Sequence, residues 1–236
     1  MKDGKLIVIE GSGDSTGKTT QYIKLKDRLL NEGYPVVLHH FPSYGTYHGL
    51  LVEKFLNGDF GECASDISPY FANSLYAIDR AIYYLKVLGP AYDNGDLILL
   101  DRYTTSSLIY QGAVISNEDD KKRFFDWTMD FEYNKLGIKE PDEVFFLHMP
   151  FEYQRKLWLN RKTNDGIFKD ILESDTIYMR QVYENSVILA KYLNWNIIEC
   201  IDGENIRSVD DIHQEIYSKV KTKIKYKMLV QYKYQV

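Results

Sequence analysis

Lys18 and Thr19 end a stretch, Gly11-Ser12-Gly13-Asp14-Ser15-Thr16-Gly17-Lys18-Thr19-Thr20, whose residue types suit phosphate chemistry. Glycines let backbone N–H groups turn toward phosphate oxygens, and a helix opening at Lys18-Thr19-Thr20 adds the partial positive charge of its N-terminus. In such a loop Lys18 reaches the β- and γ-phosphates of a nucleoside triphosphate and the Thr19 hydroxyl ligands Mg2+. The usual pattern, G-x-x-x-x-G-K-[ST], is not met as written, because counting back from Gly17 lands on Ser12 and the glycine, Gly11, stands one residue too far. The loop is therefore expected to be one residue longer. A glycine-rich turn that merely joins strand to helix is the other reading, and the order of apolar run, Gly-Lys-Thr-Thr and helix speaks against it.

Two Asp-Arg pairs extend the chemistry. Asp101-Arg102 follows the apolar run Leu97-Ile98-Leu99-Leu100, so Asp101 is where a carboxylate can hold Mg2+ or its water shell, and Arg102 can bind a second phosphate. A strand-end turn with a surface ion pair is the alternative. Asp79-Arg80 lies in a helical stretch, where Tyr76 and Arg80, four apart, share a face. An aromatic ring and a fork of donors suit a planar base. Taken alone, a core tyrosine beside a surface arginine is the simpler reading of that pair.

These residues need a scaffold, and the patterning supplies one. Leu6 to Ile9 reads as a strand, Gln21 to Leu30 as a helix, and Val36 to His40 as a second strand. Helical spacing recurs between Gly45 and Asp59, and from Pro69 to Leu88, where Gly89-Pro90 is expected to end the helix. The continuous run Leu97 to Leu100 predicts a strand buried on both faces. Helices are expected over Thr105 to Ser116 and Asp119 to Leu136, a strand over Val144 to Met149, and helices over Phe151 to Lys162 and about Leu172 to Leu193. Ile197 to Cys200 supplies a fifth strand and Val209 to Lys221 the last helix. Strands alternating with helices mean parallel βαβ units and an α/β fold, with ligands at the carboxyl ends of the strands.

Composition narrows the function classes. A chain of 236 residues with 27 % charged and 44 % hydrophobic residues is an ordinary globular protein, and one domain is expected. A net charge of -5 argues against a protein that binds nucleic acid by neutralising its backbone, though single nucleotides need only a local cluster of cations. Cys63 and Cys200, far apart, predict free thiols in a reducing compartment and no zinc site. The chain starts straight into a strand and has no apolar run of membrane-spanning length, so the cytoplasm is expected and a membrane partner is not. Lysines at 219, 221, 223, 225 and 227 mark the segment 219–236, expected to be a solvated helix end that frays into a mobile terminus. A basic arm for phosphates is the alternative.

Glu10-Gly11 through Gly17-Lys18-Thr19-Thr20-Gln21, Phe41-Pro42, Tyr76-Ala77-Ile78-Asp79-Arg80 and the segment from Asp101 to Gly112, read in order, resemble the thymidylate kinase family. The likeness extends from residue 5 to about residue 215, and Asp-Arg-Tyr-x-x-Ser-Ser-x-x-Tyr-Gln-Gly is its most specific part. It implies a P-loop NTPase-type three-layer α/β/α fold with a five-stranded parallel sheet and a short lid. It also implies ATP and Mg2+, phosphorylation of dTMP to dTDP, and a homodimer. On this reading residues 1–218 form one nucleoside monophosphate kinase domain with a lid at about 161–172.

Carried over by position, Asp14 matches the loop aspartate near the acceptor sugar and phosphate, and Phe41 and Pro42 match the pair lining the acceptor pocket. Tyr76 stands where the family usually stacks a phenylalanine on the thymine, Arg80 matches the donor to the base carbonyl, and Arg102 matches the arginine on the acceptor phosphate. Ser107 and Gln111 match positions near the base, and Tyr110 lies where a 2′-hydroxyl would be crowded. Three departures stand out: the longer loop, Ser43 where many members carry a basic residue, and the lid. Members place a catalytic arginine in the loop or in a lid motif Asp-Arg-x-Glu, whereas this chain has Ser15-Thr16 and Asp170-Ile171-Leu172-Glu173. Arg161 is the leading substitute, with Lys162 and Lys169 behind it. The missing arginine keeps open a weakened nucleotide-binding regulatory protein beside a dTMP kinase or a kinase of another nucleotide or nucleoside.

Overall fold

The structure is a computed structural model that describes residues 4–13, 15–61, 63, 66–165 and 175–232, with 161–165 and 225–232 as helical backbone only. Five strands, β1 (Lys5–Gly11), β2 (Val36–His40), β3 (Leu97–Asp101), β4 (Glu143–His148) and β5 (Asn196–Glu199), make one parallel sheet in the order β2-β3-β1-β4-β5. Helices cover both faces, which is why β1 and β3 read as unbroken apolar runs instead of alternating ones. Ile7 and Ile9 pack with Leu25, Leu29 and Ile216 on one face, while Leu6 and Val8 pack with Leu88 and Tyr103 on the other.

Nine helices are described: α1 (Lys18–Asn31), α2 (Leu50–Leu56), α3 (Pro69–Tyr83), α4 (Gly89–Asn94), α5 (Thr104–Ala113), α6 (Glu118–Met129), α7 (Phe151–Asp165), α8 (Thr176–Tyr192) and α9 (Val209–Tyr232). The connection leaving β1 runs to β2 on one side, and that leaving β3 crosses to β4 on the other. The loops after these two adjacent strands therefore part, and a crevice opens at their carboxyl ends. One loop carries Lys18, the other Asp101 and Arg102.

The structure departs from the pattern reading in four places. Gly89-Pro90 does not end a helix: a π-helical turn over Tyr84–Leu88 leads straight into α4. Proline is tolerated there because it sits in the first positions of α4, and Gly89 leaves room for Tyr84, whose carbonyl oxygen would lie 3.2 Å from a Cβ. A second π-helical turn, Asp130–Lys135, extends α6 and turns Glu132 fully inward. A short antiparallel hairpin, β6 (Ile201–Asp202) and β7 (Asn205–Ile206), follows β5 and is too brief to show as a pattern.

The fourth departure concerns residues 219–224, the start of the solvated tail expected from Lys219; the side chains of 225–232 and all of 233–236 lie outside the described residues. Helix α9 passes that position without a break, and Val220 and Ile224 are buried against Leu25 and Leu29 of α1. Ile216, Val220 and Ile224 recur every fourth residue, so the helix turns them inward. Lysines between them stay at the edges, with Lys221 donating to Glu32 and Tyr34 and Lys223 pairing with Glu143.

Candidate active site

The loop after β1 turns through three left-handed backbone positions, Gly13 (φ 152°), Ser15 (φ 60°) and Gly17 (φ 87°), the last being the residue that precedes α1. Ser15 has a Cβ and holds this conformation regardless, a strain of the kind found where a loop is built around a ligand. Lys18 is buried, and its Nζ donates to the Gly13 carbonyl at 2.5 Å, to which Thr16 Oγ1 also donates at 3.3 Å. Thr19 and Thr20 are exposed at the first turn of α1. Gly11 lets the Thr16 and Lys18 side chains pack close, since a Cβ there would meet Thr16 Oγ1 at 2.3 Å and Lys18 Cγ at 3.0 Å and oblige them to shift.

Asp101 faces that turn from the end of β3. Thr19 Oγ1 donates to Asp101 Oδ2 at 3.1 Å, and His40 Nδ1 lies 3.2 Å from the same oxygen. Asp101 Oδ1 is buried and has no hydrogen-bond partner among the described residues. A hydroxyl and a carboxylate with one of its oxygens unpartnered are donors of the kind a hard, oxygen-seeking dication takes, so Thr19 and Asp101 fit Mg2+. Burial pushes the Asp101 carboxyl up, but the hydrogen bond from His40 and the charges of Arg102 and Lys18 outweigh it and hold the group below its ordinary range. Next to it, Arg102 occupies the left-handed region at φ 68°, and its guanidinium lies 5.1 Å from the Tyr110 ring centre.

Beyond Arg102 lies a cavity that brings Phe41, Pro42, Tyr76, Arg80, Arg102, Ser107, Tyr110 and Gln111 together. His40, Tyr44, Leu56, Tyr103 and Ser106 complete its wall. The sequence did not single these out. Tyr76 is half-buried, and its ring makes a T-shaped pair with Phe55. Arg80 is no surface residue: it is 2 % exposed and bonded to Glu132, Asn73, Ser107 and the Tyr103 carbonyl. Thr104 Oγ1 donates to Glu132 as well, so α3, through Arg80, and the start of α5 share the one carboxylate that the π-helical turn after α6 supplies.

Other supports were hidden from sequence reading. Glu10, fully buried, accepts from Thr105 and Ser106 and ties the end of β1 to α5. Its signal was a carboxylate ending an apolar strand. Asp79 accepts from the Ser43 N–H at 2.9 Å and meets His48 Nδ1 at 2.6 Å, fixing the segment after Phe41-Pro42. Ser43, noted as an absent cation, instead bonds His39, whose ring stacks on Tyr83 at 3.5 Å. Asp14, the side chains of Arg161 and Lys162, Lys169, and Asp170 to Glu173 lie outside the described residues. Most of the expected lid lies there too.

The family model described as thymidylate kinase matches residues 9–216. A probable thymidylate kinase of Thermococcus gammatolerans is 30 % identical over 224 residues, covering 94 % of this chain and 98 % of its own. A thymidylate kinase of Synechococcus sp. (strain JA-2-3B'a(2-13)) is 40 % identical over 185 residues, covering 78 % and 80 %. A solved thymidylate kinase from Candida albicans is similar in fold, with a TM-score of 0.70 over 94 % of this chain and 92 % of its own at 23 % identity. With a matching model from β1 into α9, and relatives this similar along most of both chains, the protein belongs to the thymidylate kinase family.

Proposed function

We propose that the protein transfers the γ-phosphoryl group of ATP to dTMP, giving dTDP and ADP. The observation that carries this reading is the cavity in which the eight acceptor residues meet, joined through Arg102 to Asp101 and the phosphate loop. Lys18, held at the Gly13 carbonyl, is positioned to meet charge on the β- and γ-phosphates. Residues 11–20 cradle those phosphates through backbone N–H groups and the start of α1, with Asp14 near the acceptor. Thr19 and Asp101 hold Mg2+, directly or through its water, and the ion when bound offsets phosphate charge. Arg102 clamps the acceptor phosphate. Tyr76 stacks on the base, Arg80, Ser107 and Gln111 read its edge, and Tyr110 crowds a 2′-hydroxyl. Phe41 and Pro42 close the sugar side.

A coupled phosphotransfer assay with ATP and Mg2+ tests the reading against dTMP, dUMP, dCMP and CMP. The expected order is dTMP and dUMP above dCMP, and deoxy above ribo, because a buried donor left unpaired penalises the wrong base. Equal use of CMP and dTMP points to a kinase of another nucleotide, and no dTDP with ample enzyme points to a regulatory nucleotide-binding protein.

Two further features belong to this reading. Phe71, Ile78 and Leu85 are exposed at intervals of seven along α3 and the turn after it, with Leu50 and Leu51 of α2 also exposed. An apolar stripe of this kind supports a homodimer, measurable by sedimentation. Both cysteines are free thiols, and no described helix is long and apolar enough to cross a membrane, which supports work in the reducing cytoplasm.

A further inference from the structure

Ser12 and Gly13 occupy the stretch that makes the phosphate loop one residue longer than the usual pattern, and the structure shows what holds it. Ser12 is fully buried, and its N–H donates to the Leu147 carbonyl at 3.0 Å. Its hydroxyl donates to the Met149 carbonyl and accepts from the Met149 N–H, both at 3.0 Å. Gln154, near the start of α7 and 4 % exposed, closes over this contact. Its Nε2 lies 2.8 Å from Ser12 Oγ, 3.3 Å from the Ser12 carbonyl and 2.6 Å from the Met149 carbonyl. Its Oε1 faces Gly13, where a Cβ would come within 2.3 Å of it. The Gly13 carbonyl in turn accepts the Lys18 ammonium. A line of contacts thus runs from Gln154, outside the loop, through Ser12 and Gly13 to Lys18.

We propose that Gln154 is a positioning residue for phosphoryl transfer: it fixes the lengthened Ser12–Gly13 segment so that the Gly13 carbonyl presents Lys18 to the ATP phosphates. This rests on the reading that the loop holds ATP. Gln154 reaches no substrate itself and acts through the loop. Its amide donors matter, not its volume, because a displaced Gly13 carries its carbonyl, and hence the lysine, away from the phosphates. Displacements on the order of 1 Å can cost about a hundredfold in rate.

Steady-state kinetics with ATP and dTMP varied in turn test this on Gln154→Met, Gln154→Glu, Ser12→Ala, the Ser12→Ala/Gln154→Met double variant and Lys18→Ala, with melting temperatures alongside. Gln154→Met keeps the length and loses the donor, so a filler role leaves it like wild type. The expected result is a loss of about ten- to a hundredfold in kcat/KM for ATP in both Gln154 variants, with KM for dTMP within about twofold. The double variant should lose less than the product of the two single losses, since the Ser12 Oγ–Gln154 Nε2 contact is removed in each single variant and is counted twice in that product. Normal ATP kinetics in Gln154→Met while Lys18→Ala is inactive overturns the role of Gln154 and leaves the loop reading standing. Additive losses in the double variant overturn it too. Normal turnover in Lys18→Ala overturns the loop reading and this role with it. Should Gln154→Met not fold, Gln154→Glu and Ser12→Ala carry the same comparison from the two sides of the contact.

Discussion

Glu132 grips Arg80 with two hydrogen bonds of 2.7 Å, from Nε to Oε2 and from Nη2 to Oε1, and both side chains are sealed from solvent beside the acceptor cavity. Such a bidentate pair fixes the plane of the guanidinium as well as its place. Arg80 is therefore held in one orientation at the wall of that cavity.

Removing the carboxylate should expose the cost of that arrangement. Glu132→Ala leaves a buried guanidinium without its counter-charge, and a loss of about 3–5 kcal/mol in unfolding free energy is expected. Urea unfolding measures it as a lower midpoint at unchanged slope. A midpoint equal to wild type would show that Arg80 finds another partner and that Glu132 is not what holds it.

Lys18→Ala should lower kcat by about a hundredfold or more with the fold intact, because Lys18 acts on phosphate charge and not on the core. Circular dichroism and single-turnover rates check the two halves of that statement. Near-normal turnover means that the loop is misread.

Arg161→Ala should lower kcat far more than it raises KM for dTMP, the mark of a contact made chiefly in the transition state. The motive is the absence of an arginine at Ser15 and Thr16 and across Asp170 to Glu173. Alanine variants at 161, 162 and 169 decide which cation serves, lysine being the weaker solution because it lacks the guanidinium fork. If all three keep wild-type kcat, another residue supplies the charge.

Burial lowers the pKa of His39 from its ordinary 6.5 to about 4, with Asp79 opposing and His40 and His48 adding to the shift. Between those values the unfolded chain takes up a proton that folded His39 refuses, so this residue makes stability fall as pH drops from about 6.5 to about 4. Below that range its contribution no longer changes. His39→Gln should flatten the dependence of melting temperature on pH within the window, and parallel curves for the two proteins would remove His39 from the account.

Ile224→Ala should cost about 2–5 kcal/mol, as expected for a buried isoleucine, whereas Lys219→Ala, at an exposed ion pair with Glu215, should change stability by less than about 1 kcal/mol. Thermal melts of the two variants settle whether α9 past Ser218 belongs to the core. Equal, small effects would return that segment to a solvated tail.

The sequence by itself determined the parallel α/β plan, because apolar strands and amphipathic helices are written in local periodicity. It also singled out the loop from Gly11 to Thr20 and the Asp101-Arg102 pair, which the structure brings to neighbouring strand ends, because residue types at short range are read directly. It showed that the loop was one residue too long and that Arg80 and Tyr76 share a face. What it left undecided was every contact that depends on how distant elements pack. Whether Arg80 was a surface cation or a buried donor turned on Glu132, which lies 52 residues away and is buried in the π-helical turn that follows α6. Ser12 and Gln154, 142 residues apart, meet because β4 lies beside β1 and delivers the start of α7 to the loop. The lysines after Ser218 looked like a tail until α1 supplied an apolar surface for Val220 and Ile224. A side chain's burial and partners are set by the surface that arrives opposite it, and local sequence carries no record of that surface.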